Sequence, residues 1–350
     1  MKILRIADRL AGAILLATLL GTTLLGTTLL GTTLLGATLS GVGPLHAQGA
    51  SPEKLVISYV PGNAIYWDID VAIEKGYFKD EGFAPEVLIF QSSPQSIQLL
   101  IAGEVQLAGA QPEALLAAVV HGSKGFAVIS SPAERPDWFL VGRPEIKTLA
   151  DLKGKFFGTG GLQLGENWWT FKALAKAGVA QADISLLVVG TSAQKFAALQ
   201  RGSIAFTVLF QPTAQLALAE GMNVLYRFSD GEAFPSILYS VAAAWAQQGD
   251  HGRRLARALK HAHDWLYDQA NRAEAIAILQ KYTKREPDLL APIYDLYIAK
   301  DALLSRDGAV VVSDVDRVTA QMAENGAIPK GTIVSPDLYL LPKALGGLSR

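Results

Sequence analysis

From Lys54 onward, short runs of β-branched and apolar residues alternate with stretches whose apolar positions recur at helical spacing. Leu55–Val60 reads as a strand, and Ala64–Lys75 as a helix that Gly76 stops. Glu86–Phe90 is the next strand. Ser93-Pro94 then opens a helix, with a hydroxyl at the cap and proline at the first helical position. Ile97, Leu100 and Ile101 form its apolar face, and Gly103 ends it. Val105–Ala108, Pro112–Val120 and Phe126–Ser130 continue the rhythm, which predicts a mainly parallel sheet flanked by helices.

Phe139–Val141 leads through the polar connector Ile146–Lys155 into a second set of units. Strands are expected near Phe156–Gly158, Ser185–Val189, Ile204–Phe210 and Val224–Tyr226. Helices are expected over Asn167–Ala177, Ala193–Arg201 and Thr213–Glu220. The pattern changes around Phe234–Val241. Beyond it the chain reads as mostly helical: Gly252–Gln269, Arg272–Thr283, Asp288–Ala299 and Asp314–Asn325. The expected fold is therefore α/β and two-lobed, with residues 51–142 and 239–350 in the first lobe and 143–238 in the second. The helical tail returns to the first lobe, so two segments cross between them.

Residues 1–47 follow a different pattern. Lys2, Arg5 and Arg9 precede an uncharged apolar stretch from Leu10 to Leu39, and Gly43-Pro44 breaks it before Leu45-His46-Ala47. That order is the order of a secretory signal, with cleavage expected after Ala47. A Leu-Leu-Gly-Thr-Thr repeat from Leu19 through Thr33 lengthens the apolar core. About 20 apolar residues already span a bilayer, so an uncleaved inner-membrane tether is the alternative. In both cases the body lies outside the cytoplasmic membrane, and a periplasmic location is expected.

Composition narrows the chemistry. The chain has no cysteine, which excludes disulfides, thiolate metal sites, cysteine nucleophiles and a lipid-modified cysteine at the end of the leader. Its formal charge of −1 becomes −3 when the leader, with three basic residues and Asp8, is removed. With no basic stripe to neutralise phosphates, a nucleic-acid partner is not expected. The five histidines include no His-Glu-x-x-His, and His261 and His263, two apart on a helix, cannot share a metal. They read as surface residues.

Other catalytic patterns fail on spacing. Gly158-Thr159-Gly160-Gly161 follows a strand, but a dinucleotide fingerprint would need glycine where Gln163 stands. Gly154-Lys155 is followed by Phe156, and Gly190-Thr191-Ser192-Ala193-Gln194 lacks the final glycine of a nucleophile elbow. The acid pairs Asp68/Asp70 and Asp314/Asp316 read as solvated or capping residues. No cofactor, metal or catalytic constellation is expected, and the chain is read as a non-enzyme, with a membrane-tethered sensor or an enzyme of the same fold acting on a small cofactor precursor as the alternatives.

Loops at the carboxyl ends of the strands are where an open α/β sheet binds ligands. They supply Asn63, Tyr66 and Trp67 after the first strand, Ser92 and Ser93 after the second, and Gln111 and Glu113 after the third. In the second set they supply Gly160, Gly161, Asn167 and Trp168, then Thr191, then Gln211. These are neutral hydrogen-bonding groups, exposed amides at helix starts and aromatic rings. Helix starts attract anions, and Tyr66, Trp67, Trp168 and Trp169 are candidates to sandwich a planar or apolar body. The plainer alternative is that Ser93, Ser192 and Asn167 cap helices and that one tryptophan of each pair is core.

Three segments carry a resemblance. Ala72-Ile73-Glu74-Lys75-Gly76-Tyr77-Phe78 with Glu81-Gly82, Leu149-Ala150-Asp151-Leu152-Lys153-Gly154-Lys155, and Ala197-Ala198-Leu199-Gln200-Arg201-Gly202 with Gln211-Pro212 downstream occur in order. Together they resemble the periplasmic substrate-binding components of nitrate/sulfonate/taurine-type ABC transporters, a group that includes binders of thiamine pyrimidine precursors. The resemblance runs from about Leu55 to Pro336. It implies a type II periplasmic-binding fold whose two lobes close on one small molecule, a monomer that delivers its solute to a membrane permease powered by a separate ATPase subunit. The chain departs from the pattern at Ile204-Ala205, where similar proteins often have Asp-Ala, and at Gln211, where they often carry an acid. A neutral amide at 211 points to a neutral or anionic ligand. The fungal pyrimidine-synthesising relatives use a cysteine-rich segment that this chain lacks.

Overall fold

The computed structural model describes residues 51–350 apart from Gln91 and Gln163. The leader and its cleavage or tethering lie outside the described residues. Among the described residues, ten strands form two sheets of five. β1 (Glu53–Ser58), β2 (Phe83–Leu88), β3 (Leu107–Ala110), β4 (Phe126–Ser130) and β10 (Leu238–Ala242) make the first sheet, in the order β2-β1-β3-β10-β4. β5 (Phe139–Gly142), β6 (Phe156–Thr159), β7 (Ser185–Val188), β8 (Phe206–Leu209) and β9 (Asn223–Arg227) make the second, in the order β7-β6-β8-β5-β9.

Helices flank both sheets, as the α/β reading requires, and the pairing is mixed. β1, β2 and β3 are parallel, but β10 runs antiparallel between β3 and β4. In the second sheet β5 plays the same part between β8 and β9. The change of pattern seen near residues 234–241 is thus a strand returning to the first sheet. β2 begins three residues earlier than its apolar run suggests, because its register with β1 pairs Glu53 with Phe83 and Ser58 with Leu88. Pro85 is tolerated there because β2 is an edge strand.

The helical tail packs on the first sheet. Helix His251–Tyr267 places Leu255, Ala258, Leu259, Ala262 and Leu266 on one buried face, the spacing of an amphipathic helix. These residues join Leu55, Ile57, Trp67, Ile69 and the helices Arg272–Thr283 and Pro287–Tyr294 in one apolar core. Full burial of one such leucine contributes about 1.5–3 kcal/mol. On the other side of the sheet, helix Val312–Glu324 packs on helix Pro112–Val120.

Five polar residues read as surface or solvated groups are buried: Asp68, Asp70, His251, His263 and Asp314. Asp68 and Asp70 are both fully buried. Asp68 accepts from the Tyr239 hydroxyl at 2.6 Å and pairs with His263 Nε2 at 2.9 Å, while His263 Nδ1 reaches Ser305 O at 2.5 Å. Burial alone would lower the His263 pKa, but the Asp68 bond and charge outweigh it and the net shift is upward. Asp70 accepts from the Tyr59 hydroxyl at 2.8 Å and from Gly62 N–H at 3.0 Å. Burial still dominates there and pushes the Asp70 carboxyl up to about 7. His251 is also buried, held between Glu53 and the Trp245 carbonyl. Of the remaining described histidines, His121 and His261 are exposed. Asp314 is buried and pairs with Arg317 at 3.0 Å, whereas Asp316 is exposed.

Candidate functional site

A cavity of about 700 Å³ lies at the carboxyl ends of the strands, with walls from both sheets. The loop after β1 contributes Val60–Asn63, Ile65 and Tyr66, and the loop after β2 contributes Phe90, Ser92 and Ser93. Gln111 follows β3. From the second sheet come Gly160, Leu164 and Glu166 after β6, residues 190–195 after β7, and residues 210–213 after β8. Ile237, Thr283 and Arg285 complete the wall.

Local sequence explains how these loops hold their shape. Gly62 adopts φ +76°, and a Cβ there would sit 3.1 Å from Tyr282, so only glycine fits the turn. Asn63 caps the short 3-10 turn Ala64–Tyr66 by accepting from Ile65 N–H at 3.3 Å. Thr191 and Gln194 form a reciprocal capping box at the start of helix Ser192–Arg201, at 3.4 Å and 2.8 Å. The amides of Ser192 and Ala193, in the first turn, have no intrahelical acceptor. One backbone bond crosses between the sheet units here: Ala64 N–H donates to Gln211 O at 3.1 Å.

Charge in the wall is concentrated in two places. Lys195 and Glu166, each 2% exposed, form an ion pair with Nζ 3.0 Å from Oε2 and 3.1 Å from Oε1. Glu166 Oε1 also accepts from Gly160 N–H at 2.9 Å, with the Thr159 hydroxyl 3.1 Å away. Lys195 Nζ lies 5.7 Å from the centre of the Phe210 ring. The other charge is Arg285, an exposed residue whose guanidinium has no ion pair among the described residues. The wall therefore combines a buried ion pair with one cation that is free among the described residues.

Of the candidates from the sequence, Asn63, Tyr66, Ser92, Ser93, Gln111, Gly160, Thr191 and Gln211 come together in this wall. Five do not. Trp67 is fully buried on the far side of its helix, donating Nε1–H to Ala275 O at 3.2 Å and packing edge-on against Tyr294. Gly161 lies just beyond Gly160, its carbonyl accepting from Asn167 Nδ2 at 2.7 Å. Asn167 itself is buried, and it ties the 159–162 loop through that bond and a second to Leu162 O at 3.0 Å. Trp168 packs edge-on against Trp169 with Lys172 over its ring. Glu113 sits behind the wall, against Gly165.

Glu166, Lys195, Phe210 and Arg285 were not foreseen. Lys195 and Glu166 look like ordinary helix residues until the fold pairs them across 29 positions. Arg285 arrives from the tail, just after Lys284 caps helix Arg272–Thr283 with φ +55°.

The family model described as NMT1/THI5 like matches residues 66–273, more than half of the chain. The chain belongs to the NMT1/THI5-like family. Solved structures similar to this NMT1/THI5-like protein include the periplasmic aliphatic sulphonate binding protein SsuA from Escherichia coli, 20% identical with TM-score 0.66, the match covering 84% of this chain and 99% of that one. The periplasmic nitrate-binding protein NrtA from Synechocystis PCC 6803 is 15% identical with TM-score 0.68, covering 86% of each chain. The alkanesulfonate-binding protein SsuA from Xanthomonas axonopodis pv. citri bound to MOPS is 18% identical with TM-score 0.66, covering 86% of this chain and all of that one. These likenesses identify the type II periplasmic-binding-protein fold. No curated protein sequence matches the chain. Among the described residues no helix is long and apolar enough to cross a membrane.

Proposed function

We propose that this protein is the solute receptor of an ABC importer, exported to the periplasm, and that it captures a small organic anion by closure of two lobes, 51–142 with 239–350 and 143–238. The observation that carries the reading is the composition of the cavity wall. Loops from the strand ends of both sheets line it, helix Ser192–Arg201 opens onto it with unused amides, and Arg285 is its one unpaired cation among the described residues. Helix starts and a free guanidinium recognise sulfonate or carboxylate. Tyr66, Phe90 and Phe210 offer faces for an aromatic or heteroaromatic body, such as a pyrimidine.

Magnitudes agree with this role. A micromolar affinity corresponds to about −8.2 kcal/mol. For roughly ten heavy atoms that is about −0.8 kcal/mol per atom, which demands nearly complete burial. A cleft that shuts supplies such burial. The fold shared with SsuA and NrtA supports the reading, as does the MOPS, a sulfonate with a ring, bound in one of those structures. A permease with its ATPase subunit would be the partner.

The test is calorimetry and tryptophan fluorescence against alkyl and aryl sulfonates, aromatic carboxylates, nitrate and aminopyrimidines. An anion in this panel should bind, and Arg285→Glu should weaken it about tenfold. Silence across the panel, or an Arg285→Glu protein that binds anions as wild type does, would sink the proposal.

A further inference from the structure

Glu113 is at the second position of helix Pro112–Val120, which follows β3 of the first sheet. Both of its carboxylate oxygens are buried and neither has a hydrogen-bond partner in another described residue. The carboxyl is pressed onto the first residue of helix Gly165–Lys176, which follows β6 of the second sheet: a Cβ on Gly165 would lie only 1.8 Å from Oε1. The contact thus joins the two sheet units, and among the described residues it buries an acid that no cation or side-chain donor compensates, only its own backbone N–H. Such a place disfavours the carboxylate and tolerates the neutral acid.

We infer that the two sheet units close on one another with uptake of a proton at Glu113, so that the shut form is favoured in mildly acidic surroundings and loosened in alkaline ones. The charged groups around the contact support this. Glu166, next to Gly165, is already held by Lys195 at 3.0 Å, so its partner cation is engaged. Helix Ser93–Ile101, which packs on helix Pro112–Val120, carries no ionisable side chain. Helix Val312–Glu324 brings Asp314 and Arg317, paired with each other at 3.0 Å, together with Asp316 and Glu324. Among the described residues no cation pairs with Glu113.

Burial outweighs the bond from its own backbone N–H and, with the Glu166 charge adding to it, pushes the Glu113 carboxyl up to about 7. When the units part, the carboxyl leaves Gly165, meets water and returns toward the ordinary range of about 4.3. The closed form then holds more protons than the open one. Closure is favoured below that range, weakens by up to about tenfold per pH unit as pH rises toward 7, and changes no further above it. The inference rests on the closure of the two units proposed above and adds the Glu113–Gly165 contact; it does not depend on which solute is bound.

The chain has no cysteine, so Lys124→Cys and Gln181→Cys place one label on each sheet unit of the purified protein. The distance between labels is measured by pulsed spin resonance from pH 5 to 9, without ligand. The expected result is a short distance at pH 5 that lengthens as pH rises to about 7 and is constant above it, and a Glu113→Gln protein that stays short throughout. Gly165→Ala, whose methyl would displace the Glu113 carboxyl from the contact, should flatten the pH dependence of the distance with an unchanged circular dichroism spectrum. Asp70 and Asp137 keep their bonds to Tyr59 and Tyr297 in all of these proteins, so their titration is common to them. The same pH profile in wild type and Glu113→Gln, or a wild-type profile in Gly165→Ala, overturns the inference.

Discussion

Lys195→Met keeps an unbranched side chain of similar length and removes the ammonium with its two bonds to Glu166. Glu166, 2% exposed, then becomes a buried carboxylate without its cation. Breaking a buried pair from one side costs about 3–5 kcal/mol. Glu166 keeps the Gly160 N–H at 2.9 Å and has the Thr159 hydroxyl at 3.1 Å, which places the loss near the lower end, about 3 kcal/mol. That corresponds to a fall in Tm of roughly 6–12 °C. Replacing both partners, Lys195→Met with Glu166→Gln, should recover most of it, since no stranded charge remains. The assay is urea unfolding followed by tryptophan fluorescence at pH 7.5. A single variant within about 0.5 kcal/mol of wild type, or a double variant as costly as the two singles added, would refute the reasoning.

Asp70 has a folded-state pKa raised to about 7 by burial, so the folded chain binds more protons than the unfolded one between about 3.8 and 7. Its contribution to stability is complete at low pH and is lost as pH rises through that window; denaturant midpoints of wild type should fall more than those of Asp70→Asn between pH 5 and 8. Asn167→Asp replaces a donor to Gly161 O and Leu162 O with a second acceptor, and should cost about 1–3 kcal/mol in unfolding free energy. Trp67→Ala should cost about 3–5 kcal/mol in unfolding free energy, whereas Trp168→Ala should leave calorimetric affinity for any bound anion unchanged.

Strand-end loops were legible because their position follows from the βα rhythm alone. Asn63, Gln111, Thr191 and Gln211 were found by place, without knowledge of a partner. Which face of a helix turns toward the cleft was not legible. Tyr66 and Trp67 are adjacent, and about 100° of helical rotation sends one ring to the cavity and the other to Tyr294. Asp68 and His263 read as solvated because Asp68 finds Tyr239 and His263 only across the fold, and Asp70 because its partner Tyr59 lies just after the preceding strand rather than on its own helix. Lys195 and Glu166 were missed for the same reason. Mixed pairing within each sheet was hidden too, since the strand that reverses, β10, follows a long excursion through the second sheet.

Native mass spectrometry of protein purified from its own host without denaturation tests the central claim most directly. One small anionic molecule should be bound per chain, released on unfolding, and reduced in occupancy by Arg285→Glu. A bare chain that also shows no change in melting temperature or fluorescence with sulfonates, carboxylates, nitrate or aminopyrimidines would contradict the account.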